Sequence, residues 1–274
     1  MINIFFAARP EQFSLYETHL KKCLRKEGIV AKLTTHCAPA DVDYIIYAPN
    51  SEVQDFTPYT RCKAVLNLWA GVETIVGNKT LTQPLCRMVD RGLRQGMIEW
   101  VTGHTLRYHL GMDKHIVNPK KVWDETHPCL APDRPVTILG MGALGAACGK
   151  TLNRLGFPVT GWSRSPKTVQ GITCHHGPEG LQRALKAAQI LVLLLPDTPQ
   201  TKNVLNAQTL AQMPKASVIL NPGRGPLIDD DALVTALQGG HISAACLDVF
   251  RVEPLPRNHP YWILPNVTVT PHIA

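Results

Sequence analysis

Three polar side chains with distinct chemistry lie in the second half of the 274-residue chain, each a few residues beyond an apolar, β-rich run. Arg224 offers a guanidinium, Glu253 a carboxylate and His272 an imidazole. In an open α/β sheet, ligands bind beyond the carboxyl ends of the strands, so strands ending near these residues would bring them together. Such a set could hold an anion, orient an acid and supply a proton, which is the chemistry that reduction of a 2-oxo acid requires.

A second pattern, Gly140-x-Gly142-x-x-Gly145, follows an apolar run at residues 136–139 and precedes an amphipathic stretch. In a dinucleotide-binding fingerprint, the first glycine permits a tight turn and the second lets the backbone approach the pyrophosphate. The third allows helix and strand to pack closely. The amides of Ala143 and Leu144 would then bind the phosphates at the helix N-terminus. A chance glycine-rich turn is the alternative, and the strand–turn–helix context favours the fingerprint.

The end of the next predicted strand indicates which dinucleotide fits. An NAD site usually places Asp or Glu about 20 residues after the fingerprint, where the carboxylate binds the ribose 2′-hydroxyl. The chain has no carboxylate there and instead offers two hydroxyls and two cations, from Ser163, Arg164, Ser165 and Lys167. These groups suit a 2′-phosphate, so the sequence predicts NADPH as the preferred cofactor, with NADH possible. The alternative is an exposed turn without a ligand.

Hydrophobic patterning predicts the elements that would position these residues. Predicted strands cover 2–6, 30–33, 44–47 and 64–68, with a helix over 11–27. A long helix at 92–110 and a loop at 118–135 lead to strands at 136–139, 159–162, 190–195, 218–220, 244–249 and 267–270. Helices are predicted at 144–155, 180–188, 201–213 and 230–238. The expected fold is therefore α/β with two doubly wound parallel-sheet domains: a smaller, flavodoxin-like substrate domain at 1–92 and a Rossmann cofactor domain at 93–271.

Composition argues against several other function classes. The net charge of +7 comes from scattered residues without interleaved aromatics, so small-anion binding is favoured over nucleic-acid binding. The longest apolar run, 190–195, is too short to cross a membrane. The eight cysteines include no Cys-x-x-Cys pair, which predicts free thiols in a reducing cytoplasm, and the histidine spacing predicts no metal site. The N-terminus resembles a first strand rather than a signal peptide.

On its motifs, the sequence resembles the D-2-hydroxyacid dehydrogenase family, and is most similar to its glyoxylate/hydroxypyruvate reductase A branch. Besides the glycine fingerprint, the motifs are LLLPDTPQT at 193–201, NPGRG at 221–225, LDVF at 247–250, EPLP at 253–256 and PHIA at 271–274. In the first domain, NLWAGVE at 67–73 resembles the family's substrate-binding loop. Two positions there depart from the family: Trp69 stands where a small residue is common, and Glu73 where Asp is usual.

The resemblance implies a role for each candidate residue. Hydride passes to C2 of a small anionic 2-oxo acid while His272 donates a proton to the carbonyl oxygen, Glu253 holds the imidazole, and Arg224 binds the carboxylate and polarises the carbonyl. The first-domain loop binds the substrate carboxylate through the amides of Ala70, Gly71 and Val72. Trp69 beside them either narrows the substrate pocket toward small acids such as glyoxylate or packs in the core at the strand end. Asp248 contacts the nicotinamide carboxamide, or is an ordinary turn acid. Further cofactor contacts are expected at Leu195, Pro196, Thr201, Asn221 and Pro222.

The expected activity is NADPH-dependent reduction of glyoxylate or hydroxypyruvate. The alternatives are another dehydrogenase of the family, such as a phosphoglycerate dehydrogenase, or a non-catalytic dinucleotide sensor resembling a corepressor. The resemblance also implies a homodimer formed through the long helix after Gly92. The family usually continues past the position of Ala274 with a helix and tail that rejoin the first domain, so a return segment is expected to be missing here.

Overall fold

The computed structural model describes residues 1–116 and 118–274. The chain divides into two compact units, Met1–Asp90 and Arg91–Ala274. The sequence predicted the division between residues 92 and 93. Each unit contains one sheet in which every strand pair is parallel.

The first unit has five strands and one α-helix. The strands are β1 (Ile2–Ala7), β2 (Ala31–Thr34), β3 (Tyr44–Tyr47), β4 (Ala64–Asn67) and β5 (Leu85–Cys86), and the helix is α1 (Phe13–Lys26). The predicted helix at 11–27 begins as a 3₁₀ turn, Pro10–Gln12, before α1. The strand order β2-β1-β3-β4-β5 is the flavodoxin-like order, as predicted for this unit. Prediction missed β5, because a two-residue strand shows no periodicity.

Alternate residues of this sheet serve two separate cores, as the two-residue period of a strand requires. On one face, α1 lays Phe13, Tyr16 and Leu20 against Ile4 and Phe6. On the other face, the segments between strands supply the cover, with Phe56, Tyr59 and Ile75 packed against Ile45, Tyr47 and Val65. These two cores fix the carboxyl end of β4, where the candidate substrate loop begins.

The second unit contains a seven-stranded sheet in the order β12-β11-β10-β9-β6-β7-β8. Its strands are β6 (Val136–Leu139), β7 (Val159–Ser163), β8 (Thr173–His176), β9 (Ile190–Leu193), β10 (Ser217–Asn221), β11 (Ile242–Leu247) and β12 (Val267–Val269). Counting from β6, the first six strands have the classic dinucleotide-binding order 3-2-1-4-5-6. The strand order reverses between β6 and β9, and ligands of such folds bind at that point.

Helices cover both faces of this sheet. They are α2 (Arg91–His109), α3 (Asp113–Ile116), α4 (Ala143–Arg154), α5 (Gly177–Lys186), α6 (Ala207–Leu210) and α7 (Asp230–Gln238). In β9, Ile190 and Val192 face the core shared with α2 and α4, whereas Leu191 and Leu193 face the core shared with α5, α6 and α7. Burial on both faces explains why the strands of this unit are continuous apolar runs in the sequence.

One prediction within this unit is wrong, and one strand was not predicted. The helix predicted at 201–213 is a series of turns followed by the one-turn α6. Asn203 has a left-handed φ of 53°, and the Asn206 side chain accepts hydrogen bonds from the Gln208 and Thr209 amides, so a new helix begins after it. In addition, no strand was predicted between residues 163 and 189, where the structure has β8, which contains His175 and His176.

Across the described residues, every helix is too short or too polar to span a bilayer. In the same residues, no cluster of three or more His, Cys, Asp and Glu side chains is arranged to bind a metal ion.

Candidate active site

The turn after β6 has room only for glycine at its first position. Gly140 has a φ of 111°, and a Cβ there would lie 2.4 Å from the Leu194 carbonyl oxygen. Its amide donates a 2.8 Å hydrogen bond to the Trp162 carbonyl, which ties the turn to β7. Because no side chain intervenes, the backbone at Gly140 passes close to the backbone after β9, at the point where the strand order reverses.

The other two glycines open the N-terminus of α4. A Cβ at Gly145 would lie 1.9 Å from the Gly140 carbonyl oxygen, so the helix sits directly against the turn. Gly142 is the N-cap; it provides no side-chain cap and faces open space. The first helical amides, from Ala143 and Leu144, thus lie at an uncapped, partly exposed helix end with the partial positive charge of its dipole. The cradle fits a dinucleotide pyrophosphate.

The loop after β7 presents its basic groups to solvent. The buried Ser163 hydroxyl donates a 2.7 Å hydrogen bond to the Ser165 carbonyl and so shapes the turn. Arg164, Ser165 and Lys167 are exposed. The structure therefore leaves both cations accessible to an anion, while the hydroxyl proton of Ser163 is already used inside the loop.

The loop after β9 is organised by one threonine. The Thr201 hydroxyl donates to the Pro196 carbonyl over 2.6 Å and accepts from the Thr198 amide over 2.9 Å. Leu195 is buried, whereas Pro196 is exposed. Thr201, predicted as a cofactor contact, is in this structure the residue whose hydroxyl group links the two sides of the loop.

Arg224 stands on a turn built by a buried asparagine. The Asn221 side chain accepts from the Gly223 amide (3.1 Å) and donates to the Arg224 carbonyl (3.0 Å). Pro222 and Gly223 are buried, and a Cβ at Gly223 would lie 2.7 Å from the Leu193 carbonyl oxygen. The half-buried Arg224 side chain donates from Nη1 to the Gly223 carbonyl over 2.7 Å. The predicted cofactor residue Asn221 thus acts first as the scaffold of the arginine.

Glu253 and His272 contact each other directly. The Nδ1 atom of His272 lies 2.7 Å from Oε2 of Glu253, while Oε1 accepts a 2.9 Å hydrogen bond from the Phe250 amide. The His272 side chain is 53% exposed, and its backbone has a left-handed φ of 55°. The carboxylate therefore fixes one face of the imidazole, and Nε2 is the ring nitrogen left for proton transfer.

Asp248 is fully buried and anchors the segment that carries His272. Its carboxylate accepts hydrogen bonds from the Thr270 hydroxyl (2.5 Å), the Ile273 amide (3.0 Å) and the Ala274 amide (2.9 Å). Its backbone carbonyl accepts from the His272 amide over 2.9 Å. The sequence predicted either a nicotinamide contact or an ordinary turn acid at Asp248, and neither prediction included this anchoring. The anchoring depends on donors 22 to 26 residues away, which no local pattern reveals.

A partly buried pair of side chains lies near the carboxyl end of β11. Cys246 Sγ is 3.3 Å from His104 Nδ1. Burial raises the pKa of Cys246 to about 12, and burial followed by the nearby Arg107 charge lowers the pKa of His104. Both side chains are therefore neutral at pH 7, so the thiol is a packing group and not an activated nucleophile.

The predicted substrate loop of the first unit is held by another buried asparagine. The Asn67 Nδ2 group donates to the carbonyls of Trp69 (2.7 Å) and Gly71 (2.8 Å). Trp69 is 42% exposed, and the chain turns after the loop, where the Ile75 amide donates a 3.1 Å hydrogen bond to the Val72 carbonyl. Carbonyls of the loop are thus turned toward Asn67. The sequence analysis included Asn67 in the resembling segment at 67–73 but gave it no role, although its place at the end of β4 was a usable signal.

The 3-2-1-4-5-6 sheet and its glycine cradle define the class of dinucleotide-binding Rossmann proteins. Residues 106–274 match the family model described as "D-isomer specific 2-hydroxyacid dehydrogenase, NAD binding domain". The chain belongs to the D-isomer specific 2-hydroxyacid dehydrogenase family, and is thus an NAD(P)-dependent oxidoreductase acting on small organic acids. The predicted family, enzyme class and fold class are confirmed.

Relatives and solved structures agree with this assignment. The glyoxylate/hydroxypyruvate reductase A of Serratia proteamaculans (strain 568) is 38% identical over 222 residues, 78% of this chain and 71% of the relative. That of Yersinia enterocolitica is 36% identical over 244 residues, 86% and 77% of the two chains. A D-isomer specific 2-hydroxyacid dehydrogenase from Xanthobacter autotrophicus Py2, in complex with NADPH and MES, superposes with a TM-score of 0.91 at 34% identity, covering 99% of this chain and 88% of that one. An NADPH-dependent glyoxylate/hydroxypyruvate reductase from Sinorhizobium meliloti, in complex with NADP and sulfate, gives 0.83 at 30% identity with coverage of 99% and 88%.

Proposed function

We propose that the protein is an NADPH-dependent reductase of small 2-oxo acids, with glyoxylate and hydroxypyruvate as its substrates. The observation that carries the proposal is the 2.7 Å contact between Glu253 and His272, which lies at the same carboxyl end of the sheet as the Arg224 turn and the glycine cradle. Curated relatives at 35–38% identity are named glyoxylate/hydroxypyruvate reductase A, which supports the substrate class.

In the proposed mechanism, bound NADPH supplies a hydride to C2 of the 2-oxo acid. Arg224 binds the substrate carboxylate and polarises its carbonyl by a charge-assisted hydrogen bond. His272, as the imidazolium, donates the proton from Nε2 to the carbonyl oxygen, and Glu253 stabilises that charged form through Nδ1. The amides of Ala70, Gly71 and Val72 in the first unit bind the substrate carboxylate, so that unit is the proposed substrate domain.

The preference for NADPH rests on the exposed Arg164 and Lys167 and on the absence of a carboxylate at the end of β7. A guanidinium and an ammonium stabilise a 2′-phosphate, whereas a 2′-hydroxyl gains little from them. Structural relatives from Xanthobacter autotrophicus and Sinorhizobium meliloti were solved with NADPH and NADP, respectively, which supports the same preference.

The test follows nicotinamide absorbance with glyoxylate and hydroxypyruvate, using NADPH and NADH in parallel. We expect turnover of both acids and a higher kcat/KM with NADPH. The double variant Arg164→Ser/Lys167→Ser should lower the NADPH-to-NADH ratio, while Lys186→Ser, an exposed cation on α5, serves as the matched control. Absence of turnover with either acid would contradict the proposed substrates, and a wild-type ratio below one would contradict the cofactor assignment.

A further inference from the structure

The loops that follow β9, β10 and β11 are joined by a single arginine that the mechanism does not use. The Arg251 guanidinium donates hydrogen bonds to the Asn203 side-chain oxygen and to the Ile228 carbonyl. Its Nε lies 3.4 Å from the Asp230 carboxylate. The Arg251 side chain is only 29% exposed, so these contacts are partly shielded from water. One side chain thus connects three loops at the candidate active-site edge.

The loop after β9 and the loop after β10 are hydrogen-bonded to each other a few residues beyond Arg224. The Asn203 amide donates to the Pro226 carbonyl (2.9 Å), and the Leu205 amide donates to the Leu227 carbonyl (3.0 Å). The Asp229 amide completes the pairing with a 2.8 Å hydrogen bond to the Leu205 carbonyl. Because residues 203–205 and 226–229 are hydrogen-bonded to each other, any group that holds one segment also holds the other.

The third loop carries Arg251 itself and, two residues later, Glu253. Its backbone touches the arginine loop so closely that a Cβ at Gly225 would lie 2.0 Å from the Phe250 carbonyl carbon. The Phe250 amide is also the donor that orients Glu253, over 2.9 Å. A shift of this loop would therefore move the carboxylate that holds the His272 imidazole.

Two further side chains contact the Asp230 carboxylate that Arg251 binds. The Tyr261 hydroxyl donates to Asp230 over 3.0 Å, and His259 Nε2 lies 3.8 Å from the same carboxylate. Burial, followed by the Asp230 charge, raises the pKa of Tyr261, so this phenol remains a donor. Asp230 is the first residue of α7, which ties the whole contact to a helix of the core. Arg251 therefore joins the two loops to a rigid support.

We propose that Arg251 is a positioning residue: it locks the Glu253 loop onto the loop that follows Arg224 and thereby fixes the imidazole of His272. The inference rests on the proposed function, in which Arg224 binds the substrate, His272 transfers the proton and Glu253 holds the imidazole. Arg251 itself contacts no reacting atom, and its effect reaches the proton donor through Glu253.

The decisive experiment is a double-mutant cycle of Arg251→Met and Glu253→Gln, measured as kcat and KM with glyoxylate and NADPH. We expect Arg251→Met to lower kcat by about tenfold to a hundredfold, since small misplacements of a catalytic group have effects of that size. The KM for NADPH should not change. In the Glu253→Gln background, the same substitution should cost about twofold or less, because interacting residues are not additive. If the double variant loses kcat by the product of the two single-variant losses, the inference is overturned.

Arg257→Met is the matched control, because Arg257 is an exposed arginine of the same loop, and it should retain wild-type kcat. Arg251→Lys keeps the charge near Asp230 but lacks the guanidinium fork, so it should fall between wild type and Arg251→Met. It also serves as the test variant if Arg251→Met fails to fold. Wild-type kcat in both Arg251 variants would overturn the inference and leave the proposed function intact.

Amide hydrogen exchange provides a readout that does not need turnover. Peptides covering 225–228 and 249–253 should exchange faster in Arg251→Met than in Arg257→Met, while peptides from β6 and β9 should not change. If the wild-type protein reduces no 2-oxo acid, the proposed function fails, and exchange alone decides whether Arg251 locks the loops. Unchanged exchange in both segments would overturn the inference.

Discussion

At the carboxyl end of the seven-stranded sheet, the turn between β6 and α4 (the glycine edge) makes room for a ligand with glycines, whereas the loops after β10, β11 and β12 (the polar edge) hold functional side chains with buried polar groups. Gly140 and Gly145 are fixed by backbone atoms at distances that no Cβ could tolerate. Arg224 and His272 depend instead on hydrogen bonds to Asn221 and Asp248. The first edge is thus defined by the absence of side chains and the second by specific long-range partners, so the two should respond differently to substitution.

The largest effect is expected at the polar edge, from Arg224→Ala. Loss of the guanidinium removes the charge that binds the substrate and stabilises the developing oxyanion, which should cost on the order of 3 kcal/mol or more in kcat/KM. The dissociation constant for NADPH, measured by nicotinamide fluorescence, should stay near that of wild type. Near-normal kcat/KM would remove Arg224 from its proposed role.

The glycine edge should show a smaller effect, and on stability rather than chemistry. Gly145→Ala forces a Cβ against the Gly140 carbonyl oxygen at 1.9 Å, so unfolding in urea should show a loss of about 1–3 kcal/mol. Gly142→Ala, which places its Cβ in open space, is the matched control and should keep wild-type stability while weakening NADPH binding. Equal stability of both variants would break the contrast between the two edges.

The smallest effect concerns pH, and it tests how α2 packs against the seven-stranded sheet. Burial, followed by nearby arginine charges, lowers the pKa of His104 and of His109. Because these pKa values are lowered by folding, the two histidines bind protons more readily in the unfolded chain than in the folded chain. The free energy of unfolding should therefore fall as the pH drops from about 8 to about 5. The variant His104→Gln/His109→Gln should reduce that slope. A slope identical to wild type would contradict neutral burial of these residues.

The contrast also explains what the sequence could and could not predict. The β6–Gly140–α4 unit is local: an apolar strand, a turn that excludes side chains and an amphipathic helix follow one another, so its place was predicted within a residue or two. The division near residue 90 and the parallel pairing of both sheets likewise agree with the alternation of strand and helix patterns along the chain.

The scaffold of the polar edge was not predictable in the same way. Asp248 binds donors from 270–274, and Arg251 reaches Asn203, 48 residues earlier in the chain. Such pairs appear only once the strand order is known. The helix predicted over 201–213 failed for a local reason instead: Asn203 adopts a left-handed backbone and Asn206 caps a new helix, and these turn residues outweighed the apolar spacing.

The way Asp248 holds the segment at 270–274 has a consequence for mutational tolerance. Two of its three donors are main-chain amides, from Ile273 and Ala274, and a main-chain amide is the same whichever side chain it bears, proline excepted. Because the Ile273 side chain is exposed, a library at this position can vary polarity and size without changing the anchor of its neighbour His272. Asp248, by contrast, is a single buried position whose carboxylate all three donors share.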